Sequence, residues 1–231
     1  MKCIVKTTAA VIVLTLVSMC SPTANAAFIT STGGFTQPTT VIDFSQFNGS
    51  FQFTNGPIQV GGLVSEDVVY TSTSSSSVIG NGVYGLGSNG SWNSGRVGYV
   101  GNNSGNPNVA IDFTFNSGSI GEVGGFVNYA PNTGAFFIEA IGAGNVVLES
   151  FNVTSLAPIS TPGQTNAGAF RGIVRAQNDI VALRIRGGFD VLDNLTFSRF
   201  DPVPEPASLC LWGLAAVGAA VYTRRRKRQQ A

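Results

Sequence analysis

Oxygen-bearing side chains gather at one place in this sequence: Asp190, Asp193 and Asn194, within the run FDVLDNLTFSRF. Counting by twos from Asp193 gives Val191, Leu195 and Phe197, so strict alternation along a strand would bury its carboxylate. A buried carboxylate without a partner either takes up a proton or finds a cation. Two readings stay open. In one, a β-bulge near Leu192 turns the side chain outward or lets it cap neighbouring backbone amides. In the other, Asp193 joins Asp190, Asn194 or Asp43 in a structural calcium site linking the first and last strands, since calcium takes roughly six to eight oxygen ligands. Glu66 and Asp67 form a second, sparser candidate.

Other chemistry is narrowed by what is missing. The chain has no histidine, which removes His-based general bases, Ser-His-Asp triads and ordinary zinc sites together. Glu122, Glu139 and Glu149 are the right type to flank a glycosidic bond. Hydrolysis, however, needs two carboxyl groups facing each other about 5–10 Å apart, and no pair here has a diagnostic spacing. Each of the three reads instead as a charge on the solvent side of a strand. No P-loop lysine follows the dispersed glycines. The sequence therefore predicts a protein that is not an enzyme. It does offer sugar-binding chemistry: Tyr84, Trp92 and Tyr99 stand among Gly, Ser and Asn between Thr71 and Pro107. Polar loops with exposed rings suit a glycan.

The two ends carry targeting chemistry. Lys2 and Lys6, an apolar stretch from Ala9 to Val17 and the triplet Ala24-Asn25-Ala26 have the order of a signal peptide over residues 1–26, cut by signal peptidase after Ala26. Cys20 raises a lipoprotein alternative, which Met19 before it opposes. At the other end, residues 203–231 open on Pro204-Glu205-Pro206 and close on Arg224, Arg225, Arg226, Lys227 and Arg228. The apolar run between, a transmembrane helix expected at about 207–223, reaches roughly 24 Å at about 1.5 Å per residue. That is a little short of a ~30 Å hydrocarbon core. The cations hold this end in the cytoplasm and place the preceding chain outside.

A plain C-terminal anchor has the same hydropathy, but it does not explain the Pro-Glu-Pro motif. Motif, span and basic end together resemble the PEP-CTERM sorting signal of Gram-negative bacteria. The resemblance implies an exosortase-like membrane protease or transpeptidase as partner, in a system that accompanies exopolysaccharide production and biofilm formation. It also implies transient anchoring in the inner membrane with the C-terminus cytoplasmic, then a place at the cell surface or outside the cell. It covers Val203 to Ala231 alone.

The region between, residues 27–202, is expected to fold as one exported domain. It holds six arginines against eleven acids, a net charge of minus five where the whole chain has +1. No lysine remains and the arginines are scattered, so nucleic acid is not an expected partner. Cys3, Cys20 and Cys210 all fall in the ends, which leaves this region without a disulfide. Short alternating apolar runs separated by Gly, Asn, Ser and Pro predict an all-β fold, an antiparallel β-sandwich. Val41–Phe47 and Phe51–Phe53 read as a hairpin about Asn48-Gly49. Ala135–Ile141 pairs with Val146–Val153, and Phe170–Arg175 with Ile180–Arg186. With a last strand at Phe189–Phe200, the outline resembles the jelly-roll-like ectodomains of other PEP-CTERM proteins. The expectation is a non-catalytic surface or matrix protein that binds or scaffolds exopolysaccharide. Glycan hydrolysis and self-assembly are the alternatives. No cofactor is required beyond the calcium candidate.

Overall fold

Alternating apolar residues in residues 27–200 become sixteen short strands in a computed structural model that describes residues 26–92, 98–200 and 212–215. In chain order they are β1 (Ala27–Ile29), β2 (Thr40–Ile42), β3 (Gln52–Phe53), β4 (Ile58–Gln59), β5 (Val68–Ser72), β6 (Ser77–Gly80), β7 (Tyr84–Gly85) and β8 (Ser91–Trp92). There follow β9 (Tyr99–Asn102), β10 (Ala110–Phe115), β11 (Glu122–Tyr129), β12 (Phe137–Gly142), β13 (Val146–Asn152), β14 (Ala169–Val174), β15 (Ala182–Arg186) and β16 (Asp190–Ser198). One helical turn, α1 (Val153–Leu156), follows β13.

An eight-stranded sheet runs β1-β14-β11-β16-β9-β6-β3, with β2 also on β16. A six-stranded sheet runs β13-β12-β15-β10-β5-β4, and β7 and β8 pair by themselves. Every strand pair is antiparallel. Ile111, Phe113 and Phe115 of β10 share one buried cluster with Val123 and Val127 of β11 and Leu192, Leu195 and Phe197 of β16. The rings of Phe115 and Phe197 lie 4.9 Å apart, so the inner faces of the two sheets meet there. Burial of these alternate side chains is the main stabilising term.

Two predicted pairings are corrected. The Val41–Phe53 hairpin does not form: β2 joins β16 and β3 joins β6. Phe44 adopts φ 55° and is fully buried, 5.9 Å from the ring of Phe113, and Ser45–Phe47 is a 3-10 turn. Burying that ring outweighs continuing the strand. Likewise β14 and β15 lie in different sheets, and the turn between them carries the chain from one to the other, with Arg175 bonded to Asp179 at 2.7 and 2.8 Å. The hairpin of β12 and β13 forms as read.

A bulge does occur in β16, at Asn194 rather than Leu192. Asp193 faces Phe126 and Thr196 faces Gly124, leaving Asn194 and Leu195 opposite Gly125 alone. Asn194 takes φ 51°, and its N–H donates to Asp193 Oδ1 at 2.7 Å. The extra residue lets one strand change neighbours: Asp190–Leu192 pair with β9, and Leu195–Phe197 with β2. The expected signal peptide up to residue 25 with Ala24, the Pro204-Glu205-Pro206 motif and Arg224, Arg225 and Arg226 lie outside the described residues. So does the expected span except for 212–215. Among the described residues no helix is long and apolar enough to cross a membrane.

Candidate functional site

Three loops at one end of the domain enclose an open groove of about 720 Å³. They are the 3-10 turn Gly87–Asn89, the segment after β11 and the chain from α1 to Pro162. Hydroxyl and amide groups come from Ser88, Asn132, Thr154 and Ser160; apolar surface comes from Tyr129, Pro131, Pro158, Ile159 and Pro162. Among the described residues no charged side chain lines it. Asn89, only 4% exposed, ties the loops together. Its Nδ2 donates to Tyr129 O at 2.9 Å and Ile159 O at 3.0 Å, and its Oδ1 accepts from Thr161 N at 3.2 Å. Asn128 Nδ2 adds bonds to Thr161 Oγ1 at 2.9 Å and Ala167 O at 2.8 Å. Tyr129 stacks on Phe136 at 5.2 Å and accepts from Ile159 N. A buried network with its polar atoms paired fixes the walls in place, while Ser88, Asn132 and Ser160 stay exposed for a ligand.

The three predicted glycan-binding rings are elsewhere, and they are not exposed. Tyr84, Trp92 and Tyr99 form a second buried cluster with Val78, Leu86 and Val191. Val191 and Leu192 alternate between this cluster and the main core, so the rings pack on the opposite face of β16. Trp92 meets Tyr99 edge-on at 5.3 Å, and its Nε1 donates to Ala167 O at 2.8 Å. Tyr99 OH donates to Gly82 O and Tyr84 OH to Asn102 O. Burial pushes both phenols well above the ordinary tyrosine range. A surrounding rich in Gly and Ser gave the look of an exposed loop. The rings instead cover one another, and backbone carbonyls satisfy their polar tips.

The predicted calcium ligands are not gathered into one site. Asp43 is exposed and accepts from Ser45 N at 3.0 Å; Asn194 is exposed at the bulge. Asp190 and Asp193 are both buried, but alternation before the bulge sends them to opposite faces of β16. Among the described residues no three acidic, histidine or cysteine side chains converge.

The other acids are held by donors. Glu122, expected at the surface, is fully buried, and Glu139 is 5% exposed beside Ser150 and Arg186. Glu149 bonds Arg175, and Asp112 takes two bonds from Arg184 at 2.7 and 2.8 Å. The Arg199 guanidinium, bonded to Glu66 at 2.6 and 2.9 Å, holds that carboxyl below its usual range. Burial pushes Asp179 up, but the bonds from Arg175 and Gln177 and the charge of Arg175 together leave it lowered.

The tail is read by comparison with known families. A family model described as the PEP-CTERM protein-sorting motif matches residues 202–227. The chain carries a PEP-CTERM sorting motif. The match takes in Pro204, Glu205 and Pro206 and ends at Lys227, past Arg224, Arg225 and Arg226. A PEP-CTERM motif marks an exported protein that exosortase sorts toward the cell surface. It bears on delivery, and the groove lies in the part of the chain it does not reach. No curated protein matches the chain. Sequence reasoning missed the Asn89–Asn128–Thr161 network because its members are 39 and 33 residues apart. The one local signal was Asn128, a lone amide within the apolar run Phe126–Ala130.

Proposed function

We propose that this is a non-catalytic surface or extracellular-matrix protein that binds a neutral stretch of exopolysaccharide in the groove, as a scaffold of biofilm. The observation that carries the reading is a groove without charge on a region whose net charge is minus five. Hydroxyls, amides and proline faces suit a hydrated neutral polymer. A glycan hydrolase would need two acids around its ligand, and the lining offers none. In affinity electrophoresis of the full chain through matrix glycan, Asn132→Ala should weaken retardation roughly 3- to 10-fold, the worth of one hydrogen bond. Ser160→Trp should abolish it by filling the groove. Unchanged retardation in both, or sugar release by the wild type, would sink the reading.

Delivery belongs to the same proposal: signal peptidase removes residues 1–26, the region 27–202 folds outside as a jelly-roll-like sandwich, and an exosortase-like enzyme cuts within 203–231. Mass spectrometry of the protein from its own cells should find Ala27 first and Arg224–Arg226 gone. Recovery of an intact tail would leave an ordinary permanent anchor instead. Self-assembly stands second. Its support is β13, a seven-residue edge strand carrying Val146 and Val147 at 56% and 48% exposure, where β1, β3 and β4 have two or three residues each.

A further inference from the structure

Asp190 is 1% exposed, and neither of its carboxyl oxygens has a hydrogen-bond partner; the same holds for Asn102 Oδ1. These orphans are neighbours. Asp190 of β16 stands opposite Asn102 of β9, which stands opposite Ser77 of β6, so the three side chains form one row across the eight-stranded sheet. The row faces the other sheet, where Ser72 Oγ of β5 lies 2.6 Å from Ser77 Oγ.

Among the described residues, the side-chain donors of Asn102, Tyr70, Tyr84 and Ser72 are bonded to backbone carbonyls. Asn102 Nδ2 donates to Gly187 O at 2.7 Å and Ser104 O at 3.3 Å. Tyr70 OH donates to Thr54 O at 3.0 Å, and Tyr84 OH to Asn102 O. Ser72 Oγ donates to Ala110 O at 3.1 Å, so the proton shared with Ser77 belongs to Ser77 and leaves that oxygen with free lone pairs. What stays unpaired along the row is two carboxyl oxygens and one amide oxygen, all of them acceptors. Gly187 borders the row, where a Cβ would stand 3.2 Å from Asp190 Oδ2.

A single proton would serve one carboxyl oxygen and Asn102 Oδ1 but leave the second carboxyl oxygen alone. A metal ion can be met by all three. The geometry points to a buried site for a hard metal cation of the calcium type, with Asp190 as its charged ligand, Asn102 Oδ1 beside it and Ser77 Oγ at its edge. Oxygen-only coordination by carboxylate, amide and hydroxyl is what such ions select. The site is separate from the groove and does not depend on the polysaccharide reading.

The test uses the full chain in detergent, stripped by chelator and returned to calcium, sodium or potassium chloride at matched ionic strength. At about a hundred-fold excess over its dissociation constant, calcium should raise the unfolding midpoint by roughly 5–10 °C. Terbium in the same place should emit when tyrosine is excited, because Tyr70 and Tyr84 are electrostatic neighbours of Asp190. Asp190→Asn should lose both responses and Asp43→Asn should keep both. A shift from sodium or potassium alone, also lost in Asp190→Asn, would support the site with a monovalent occupant. No shift with any cation, a shift that survives Asp190→Asn, or an infrared carboxylic-acid band of Asp190 that calcium leaves in place would overturn it. Should Asp190→Asn fail to fold, metal analysis of the dialysed wild type decides: one ion per chain is expected, and none overturns the proposal.

Discussion

Trp92→Ala is expected to cost the domain about 3–5 kcal/mol, the usual loss when a large buried ring is deleted. Trp92 has no exposed surface and sits between Tyr99 at 5.3 Å and Phe126 at 6.0 Å. Its indole N–H holds Ala167 O, the carbonyl that also accepts from Asn128 of the groove network. Removing the ring opens a cavity beneath the β7–β8 pair and frees one side of the 157–168 segment. Against a total stability of about 5–15 kcal/mol, that is from a fifth of the margin to the whole of it. The measurement is denaturant unfolding followed by tyrosine fluorescence, alongside glycan retardation. Stability should fall first, and any loss of retardation should track the unfolded fraction. Undiminished stability with lost sugar binding would put Trp92 back in the role of an exposed platform. Asn132→Ala should behave in the opposite way, with affinity reduced and stability kept, because its side chain is exposed.

Faces were readable in this sequence and partners were not. The alternation of Ile111, Phe113 and Phe115 gave the strand and its buried side, because period two is a property of the local chain. Nothing local said that β10 would lie between β5 and β15, or that β14 and β15 would part into different sheets. Pairing is settled by which apolar faces bury together across long separations. Polar burial was harder still. Asp193 could be suspected from its apolar neighbours at even spacing; it is buried and accepts from Asn194 N, and the bulge beside it falls at Asn194. Glu122 gave no such warning, since a single acid at a strand start has the same appearance whether solvent or hydroxyls surround it. The aromatic residues misled for a related reason: loop-like composition around Tyr84, Trp92 and Tyr99 hid a packed cluster. The tail was legible because its chemistry is linear. Motif, apolar run and basic end act in sequence order, and the family match at residues 202–227 follows that order.

Glu122→Ala is expected to cost about 2–4 kcal/mol, because it strands several donors at once. The carboxylate is fully buried at the start of β11. It accepts from Thr36 N at 2.8 Å, Thr36 Oγ1 at 2.6 Å and Gln37 N at 3.3 Å, and from Ser198 Oγ of β16. One side chain thus fastens the segment between β1 and β2 to the two central strands of the larger sheet. β2 holds β16 through only three residue pairs, so the loop ahead of it needs this anchor to keep register. Glu122→Gln should cost about half as much. One amide oxygen still accepts from Thr36, and the new NH₂ can donate to Ser198 Oγ. Hydrogen exchange is the discriminating measurement: Thr36 N–H protection should vanish in the alanine variant and persist in the glutamine one, while β12 and β13 stay protected in both. Equal protection at Thr36 in wild type and alanine variant would mean that the loop is held by its backbone alone, and that the buried acid has some other purpose.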